Sequence, residues 1–464
     1  MSYSELANRF SGLTLESEDR WDYQGTNNSE RDYVHGFCTY PAMMVPKMQR
    51  EMLSVCLDEI ETQKPILLDP FAGSGTILVE GMLKGLDIVA VDINPLAVLL
   101  CKVKSTIICS DLLEHNAGQL LAAIDDSEDV SDHRFKGIDK WFTLKVVSDL
   151  SRIRTAITHC DVVELRRFFW ATFCEVIRMV SNSRDCTYKL HIKAVEEIDA
   201  FNKDAILLFK ETLNYNIDKY KDFYRALSER GLLKRDGSAY KGTVEVVYGD
   251  CVGYLNSTRR KFDLVFTSPP YGDNHTTVSY GQYSILSLRW IDVKDIDESI
   301  DIKLLETLYE IDNISLGGVS SKKRTDSISG RLNGKSVTLS EQIDNINGLA
   351  PKQVNKIIAF YSDFDEFLEK LTKRIKPSGV SVWTLGNRRV ARQEIFMNKI
   401  LAELSGSYNL SLLTSFSRKI LNKRMPKINA YKGEANELIG TMTREHILIF
   451  VRSDVVHVGA NVAI

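Results

Sequence analysis

Leu67-Leu68-Asp69-Pro70-Phe71-Ala72-Gly73-Ser74-Gly75-Thr76-Ile77-Leu78-Val79-Glu80-Gly81 (LLDPFAGSGTILVEG, residues 67–81) reads as a strand, a glycine turn and a helix. Ile66–Asp69 is short and apolar, Gly73 and Gly75 break the run, and Ile77, Leu78, Met82 and Leu83 then recur at helical spacing. Asp87–Val91 is the next apolar run, and Asp92 ends it. A strand–turn–helix–strand order of this kind predicts a parallel α/β sheet. Glycines suit a turn that needs unusual dihedrals or that a ligand approaches closely, although a bare tight connection needs them too.

Outward from this stretch, Val244–Tyr248, Asp263–Phe266, Val380–Leu385, Leu412–Phe416 and Ile447–Val451 read as further buried strands. Residues 110–240 differ, with long amphipathic patterns over Leu144–Ile157, Leu165–Val180 and Ala205–Ser228. The expected architecture is one doubly wound, Rossmann-like α/β domain split by two insertions. In chain order these are an N-terminal arm (1–35, loose and polar), a first sheet segment (36–109), a helical insertion (110–240) and a second sheet segment (241–314). A basic loop insertion (315–351) and a C-terminal sheet segment (352–464) follow. The basic insertion sets Lys322, Lys323, Arg324, Arg331 and Lys335 among glycines and serines, and reads as a flexible loop able to follow a phosphate backbone.

The chain has 464 residues, 44% of them hydrophobic, and a formal net charge of −3, which excludes histone-like binding through bulk positive charge but not a basic cleft. The longest apolar runs, Ile88–Val91 and Leu96–Cys101, fall far short of the roughly 20 residues of a membrane span. No secretory pattern stands at the start, and the eight cysteines are scattered without metal spacing. A cytoplasmic protein with no metal site and no membrane partner is therefore expected.

Two constellations carry chemistry. In the first, Asp92 lies about 20 residues beyond the glycines, where an acid can accept both hydroxyls of a ribose. Asp69 stands just before the turn, where it would repel a pyrophosphate and attract an ammonium group. That favours S-adenosylmethionine over a dinucleotide. In the second, Thr267-Ser268-Pro269-Pro270-Tyr271 closes an apolar strand. Two prolines without N–H groups continue neither ladder nor helix, and leave carbonyls beside Ser268 as rigid acceptors. Acceptors on both hydrogens of an exocyclic amino group would expose its lone pair to an electrophilic methyl, with Tyr271 offering a face to a flipped base.

With both in view, the chain resembles the amino-directed DNA methyltransferases over Tyr40–Arg50, Leu67–Ala97, Val244–Asn274 and, more loosely, Val380–Arg452. The resemblance implies S-adenosylmethionine held by Tyr40, Pro41, Asp69, Pro70, Phe71, Ala72, Gly73, Ser74, Gly75, Thr76, Asp92, Ile93, Asn94 and Asp250. It implies catalysis by Ser268, Pro269, Pro270 and Tyr271. Serine before the two prolines and tyrosine after them are commonest in cytosine-N4 enzymes, with adenine N6 as the alternative. The resemblance also implies double-stranded DNA as substrate and a cognate restriction endonuclease as partner. An RNA guanine-N2 methyltransferase is the rival reading on this fold, but such relatives tend to carry aspartate where Ser268 stands. His275 reads as a loop residue, and Trp141-Phe142 and Phe168-Phe169-Trp170 as core. A further basic stretch, Arg418 to Arg424, is expected near the cleft rim.

Overall fold

The computed structural model describes residues 3–15, 21, 31–127, 130–184, 187–200, 203–420, 428–430, 438–440 and 443–452. Its centre is a seven-stranded sheet: β1 (Ile66–Asp69), β2 (Asp87–Asp92), β3 (Val244–Tyr248), β4 (Phe262–Thr267), β5 (Ile375–Gly386), β6 (Leu410–Lys419) and β7 (Arg444–Arg452). The spatial order is β3-β2-β1-β4-β5-β7-β6. All pairings are parallel except those of β7, which runs antiparallel to both β5 and β6. This is the expected Rossmann-like α/β sheet, and every strand read from the sequence lies within it.

Side chains on the central strands alternate between two cores. Leu67, Ile88, Ala90 and Leu264 face one, and Leu68, Val89, Val91 and Val265 face the other, so both faces of the sheet are covered. The strand order reverses between β1 and β4. Chain leaving their carboxyl ends therefore diverges and opens a crevice where α/β sheets bind ligands.

The helices between β2 and β3 belong to the first core. Helix Val163–Val180 buries Phe168, Phe169, Trp170 and Phe173 and packs on helices Pro95–Ser105 and Tyr280–Trp290. Trp141 and Phe142 are buried in the same core.

Two expectations need correction. The N-terminal arm is not loose where it is described. Tyr3–Leu15 is a helix whose Leu6 and Phe10, four residues apart, are fully buried, and Arg9 pairs with Asp58 and with Glu59 (3.1 Å). The basic insertion is not a flexible loop either. Lys322–Ile328 and Val337–Asn347 are helices packed on helix Pro351–Thr372, with Leu332, Leu339 and Ile346 buried against Val354 and Ile357. Its glycines punctuate turns between helices, and apolar residues seven apart, about two helical turns, decide the outcome.

Its cations are largely spoken for. Arg324 pairs with Asp363, Arg331 with Asp365 (2.7 Å) and Glu369 (2.6 Å), and Lys335 with Asp365 (2.8 Å). Asp365 is completely buried and also accepts the Tyr408 hydroxyl at 2.8 Å. Removing it leaves Lys335 without a carboxylate and Arg331 with Glu369 alone, so Asp365→Ala is expected to cost roughly 2–4 kcal/mol, read from the urea midpoint. A Lys322→Ala/Lys323→Ala double variant, changed only at exposed positions, is expected to stay within about 0.5 kcal/mol of wild type.

Candidate active site

A cleft of about 850 Å³, its open mouth included, lies at the carboxyl ends of β1, β2, β3 and β4. The glycine turn makes its floor. Pro70, Phe71, Ala72, Gly73, Ser74 and Thr76 all line it. Gly73 has φ +51°, a left-handed backbone that favours glycine, while a Cβ there would make only ordinary contact with the Tyr40 ring at 3.5 Å. Gly75 does not line the cleft. With φ +76° it caps the following helix, and a Cβ would also crowd Cys101 Sγ at 3.1 Å, so the left-handed backbone and the neighbouring helix both favour glycine here. Lys104, buried beneath the turn, donates to the Ser74 carbonyl at 2.7 Å, and burial lowers its pKa to about 8.

Asp92 joins the turn to β2. Its two oxygens accept the N–H groups of Gly73 and Asn94, each at 2.8 Å. A carboxylate has about four lone-pair positions, so two remain for a ligand. Burial raises its pKa to about 6 against these stabilising bonds. Ile93 and Asn94 line the cleft beside it. Asn94 also caps helix Pro95–Ser105 and donates to Ser284 Oγ at 2.8 Å, which ties this wall to helix Tyr280–Trp290. Asp250 lines the far end and caps helix Cys251–Ser257 by accepting the Gly253 N–H at 2.8 Å.

Asp69 is not in the cleft wall. It is fully buried under the turn, where Oδ1 accepts the Thr267 hydroxyl at 2.9 Å and the Phe71 N–H at 3.2 Å, while Oδ2 has no partner. Burial raises its pKa to about 7, with those two bonds working against the shift and the neighbouring Asp92 adding to it. The consequence is that the end of β4 is fastened to the end of β1, and the loop after Thr267 enters the same cleft. Ser268 and Pro270 line it. Pro269 does not, and Tyr271 turns aside onto the second core, where burial pushes its pKa up.

The aromatic face in the cleft belongs instead to Tyr40 and Tyr280, stacked with centroids 5.8 Å apart. Tyr40 and Pro41 are held from the helical insertion. Thr39 gives its N–H (2.8 Å) and hydroxyl (2.9 Å) to Glu175, and its carbonyl accepts the Tyr283 hydroxyl at 2.6 Å. Sequence reading missed Asn274, Tyr280, Ile311, Ile314, Ser315 and Leu316 as lining residues. Asn274 falls just past the proline loop and was open to notice; the others carry no pattern that separates them from core or loop.

His275 is a loop residue whose Nε2 meets Asn313 Oδ1 at 3.1 Å. Of the further basic stretch, Arg418 is paired with Glu445, while Lys423 and Arg424 lie outside the described residues. Among the described residues no three metal-ligating side chains cluster, and no helix is long and apolar enough to cross a membrane.

A parallel sheet with one reversed strand near its edge, and a glycine turn and proline loop meeting over its switch point, define a methyltransferase of the Rossmann-like class. The Type II methyltransferase M.MvaI of Kocuria varians is 32% identical over 456 residues, 94% of this chain and 95% of that protein. The chain therefore belongs to the type II methyltransferases, and a relative of this kind implies S-adenosylmethionine as methyl donor. No protein-family model matches the chain. Two structures of the rRNA methyltransferase aviRa from Streptomyces viridochromogenes align over 95% and 94% of the chain. Their TM-scores are only 0.31 and 0.29, at 11% and 10% identity, and no conclusion rests on them.

Both buried carboxyls hold their protons more tightly folded than unfolded. The stability they lend is complete below pH about 4 and is lost as pH rises through about 6 for Asp92 and about 7 for Asp69. Asp69→Asn keeps an acceptor for Thr267 without a charge. In the ligand-free chain this variant is expected to gain about 2–3 kcal/mol on wild type between pH 5 and pH 8, measured by urea unfolding.

Proposed function

We propose that this methyltransferase acts on the exocyclic amino group of a flipped base in double-stranded DNA, with cytosine N4 as the target. The observation that carries the reading is the Thr267–Asp69 bond, which sets Ser268 and Pro270 in the cleft shared with the glycine turn. An amino nitrogen conjugated to a base ring is a poor nucleophile until acceptors engage its hydrogens. Ser268 Oγ and the carbonyls of the proline pair are such acceptors, in a loop whose φ angles two prolines hold. Serine, neutral and able to donate as well as accept, suits the amino group and adjoining ring nitrogen of cytosine.

The residues present fit S-adenosylmethionine. Asp92 keeps two lone-pair positions for ribose hydroxyls, and Tyr40 and Tyr280 offer a stacking face. Bound there, the cofactor supplies a methyl group made electrophilic by a positively charged sulfur. Asp92 orients the ribose, the Tyr40 segment covers the cleft, and Ser268 holds the target amino group and passes its released proton toward solvent.

DNA contact by the basic insertion rests on Lys322 and Lys323, which are exposed on the surface of helix Lys322–Ile328, while Arg324, Arg331 and Lys335 reach DNA only by giving up acidic partners. The stretch from Lys189 to Lys193 in the helical insertion offers a second contact, since Lys189 donates to the His275 carbonyl beside the catalytic loop at 3.1 Å. By likeness to a type II enzyme, the activity belongs to a restriction–modification pair with a cognate endonuclease as partner.

Incubation with plasmid DNA and labelled S-adenosylmethionine, followed by nucleoside mass spectrometry, is expected to yield N4-methylcytosine. N6-methyladenine alone would overturn the choice of base, and label in RNA alone would overturn the choice of polymer. Cofactor affinity is expected to rise from pH 5 to pH 7.5, steepest near pH 6, because ribose hydroxyls donate best to ionised Asp92. Asp92→Asn is expected to lose about 1–3 kcal/mol of binding at pH 7.5 and to flatten that rise, both read by calorimetry.

A further inference from the structure

Asn274 is only 3% exposed, lines the cleft beside Ser268 and Pro270, and leaves its Oδ1 buried without a partner. An amide oxygen in that state is costly unless something arrives to use it. The amide is also fixed in orientation. Its side chain lies beside the Asp312 carboxylate, which is completely buried and whose charged form it stabilises. Both Asp312 oxygens already accept backbone N–H groups, Gly281 at 2.8 Å and Gln282 at 3.2 Å. A carboxylate can only accept, so Asp312 favours the NH₂ end of the amide, and Oδ1 is the end left without a partner in the cleft wall. The arrangement is built from two sides, since Asp312 precedes the wall residues Ile314 and Ser315 and also pins the first turn of helix Tyr280–Trp290.

We propose that Asn274 Oδ1 is an acceptor for an N–H of the target base's amino group, working with Ser268 so that both hydrogens of that group are engaged. This rests on the reading of the cleft as an amino-methyltransferase site. A donor group of the cofactor is the other source of the same chemistry, and the measurements separate the two.

The test starts from wild-type enzyme methylating DNA. If wild type transfers no methyl to a DNA amino group, the proposed function fails and Asn274 fails with it. If wild type is active, Asn274→Ala and Asn274→Ser are expected to lower the single-turnover rate at saturating cofactor by about 100-fold, with cofactor Kd within about 3-fold of wild type. Asn274→Asp shares one proton with Asp312 and keeps an oxygen facing the cleft, so it is expected to recover at least about ten-fold over alanine. The Asp and Ser variants pose the same question if the alanine variant does not fold. Rates within about 3-fold of wild type in Ala and Ser would overturn the proposal. So would a loss of cofactor affinity matching the loss of rate, or an Asp variant no better than Ser in a protein of unchanged melting temperature.

Discussion

A single buried hydrogen bond, from the Thr267 hydroxyl to Asp69, holds the ends of β4 and β1 together at the point where the sheet reverses order. The glycine turn leaves one strand and the proline loop leaves the other. The backbone ladder pairs these strands as far as Leu68 and Val265, and this side-chain tie joins their ends beyond it. The bond lies where no water competes with it, since both residues are at most 1% exposed. It also makes Asp69 a brace for the catalytic loop rather than an open ligand for a cation.

The remaining walls come from distant chain and are fastened to this pair by polar bonds. Glu175 in the helical insertion grips Thr39, Tyr283 reaches the same residue, and Asn94 holds Ser284. Helix Tyr280–Trp290 is thus bonded to both the Asp92 wall and the Tyr40 segment. The insertion is part of the machinery, because its buried aromatics and the sheet form one continuous core. A change deep in helix Val163–Val180 would reach the cleft through Glu175 and Thr39.

The fold was legible because the central strands are apolar on both faces and bounded by acids, glycines or prolines. The floor of the cleft was legible because Asp92 and the turn residues Pro70 to Thr76 lie within one short stretch. Reading failed where tertiary partners decide. Lys322 to Lys335 looked like a flexible loop able to follow a phosphate backbone because Asp363, Asp365 and Glu369, which pair with three of its five cations, lie some 30–40 residues away in sequence. Tyr271 looked like the stacking platform from its place in the motif, yet the second core claims it, and the cleft face falls to Tyr40 and Tyr280. Gly75 looked like a ligand glycine, yet it lies outside the cleft lining, where a left-handed cap and the nearby Cys101 favour glycine.

The account stands or falls on whether the Thr267–Asp69 bond sets the two loops for reaction. The direct measurement is the single-turnover methyl-transfer rate of Thr267→Val, alongside its cofactor affinity. Losing the tie is expected to lower the rate by about 10- to 100-fold, because misplacement on the scale of an ångström costs that much, while cofactor affinity stays within about 3-fold. A rate equal to wild type, or an affinity lost in proportion to the rate, would contradict it.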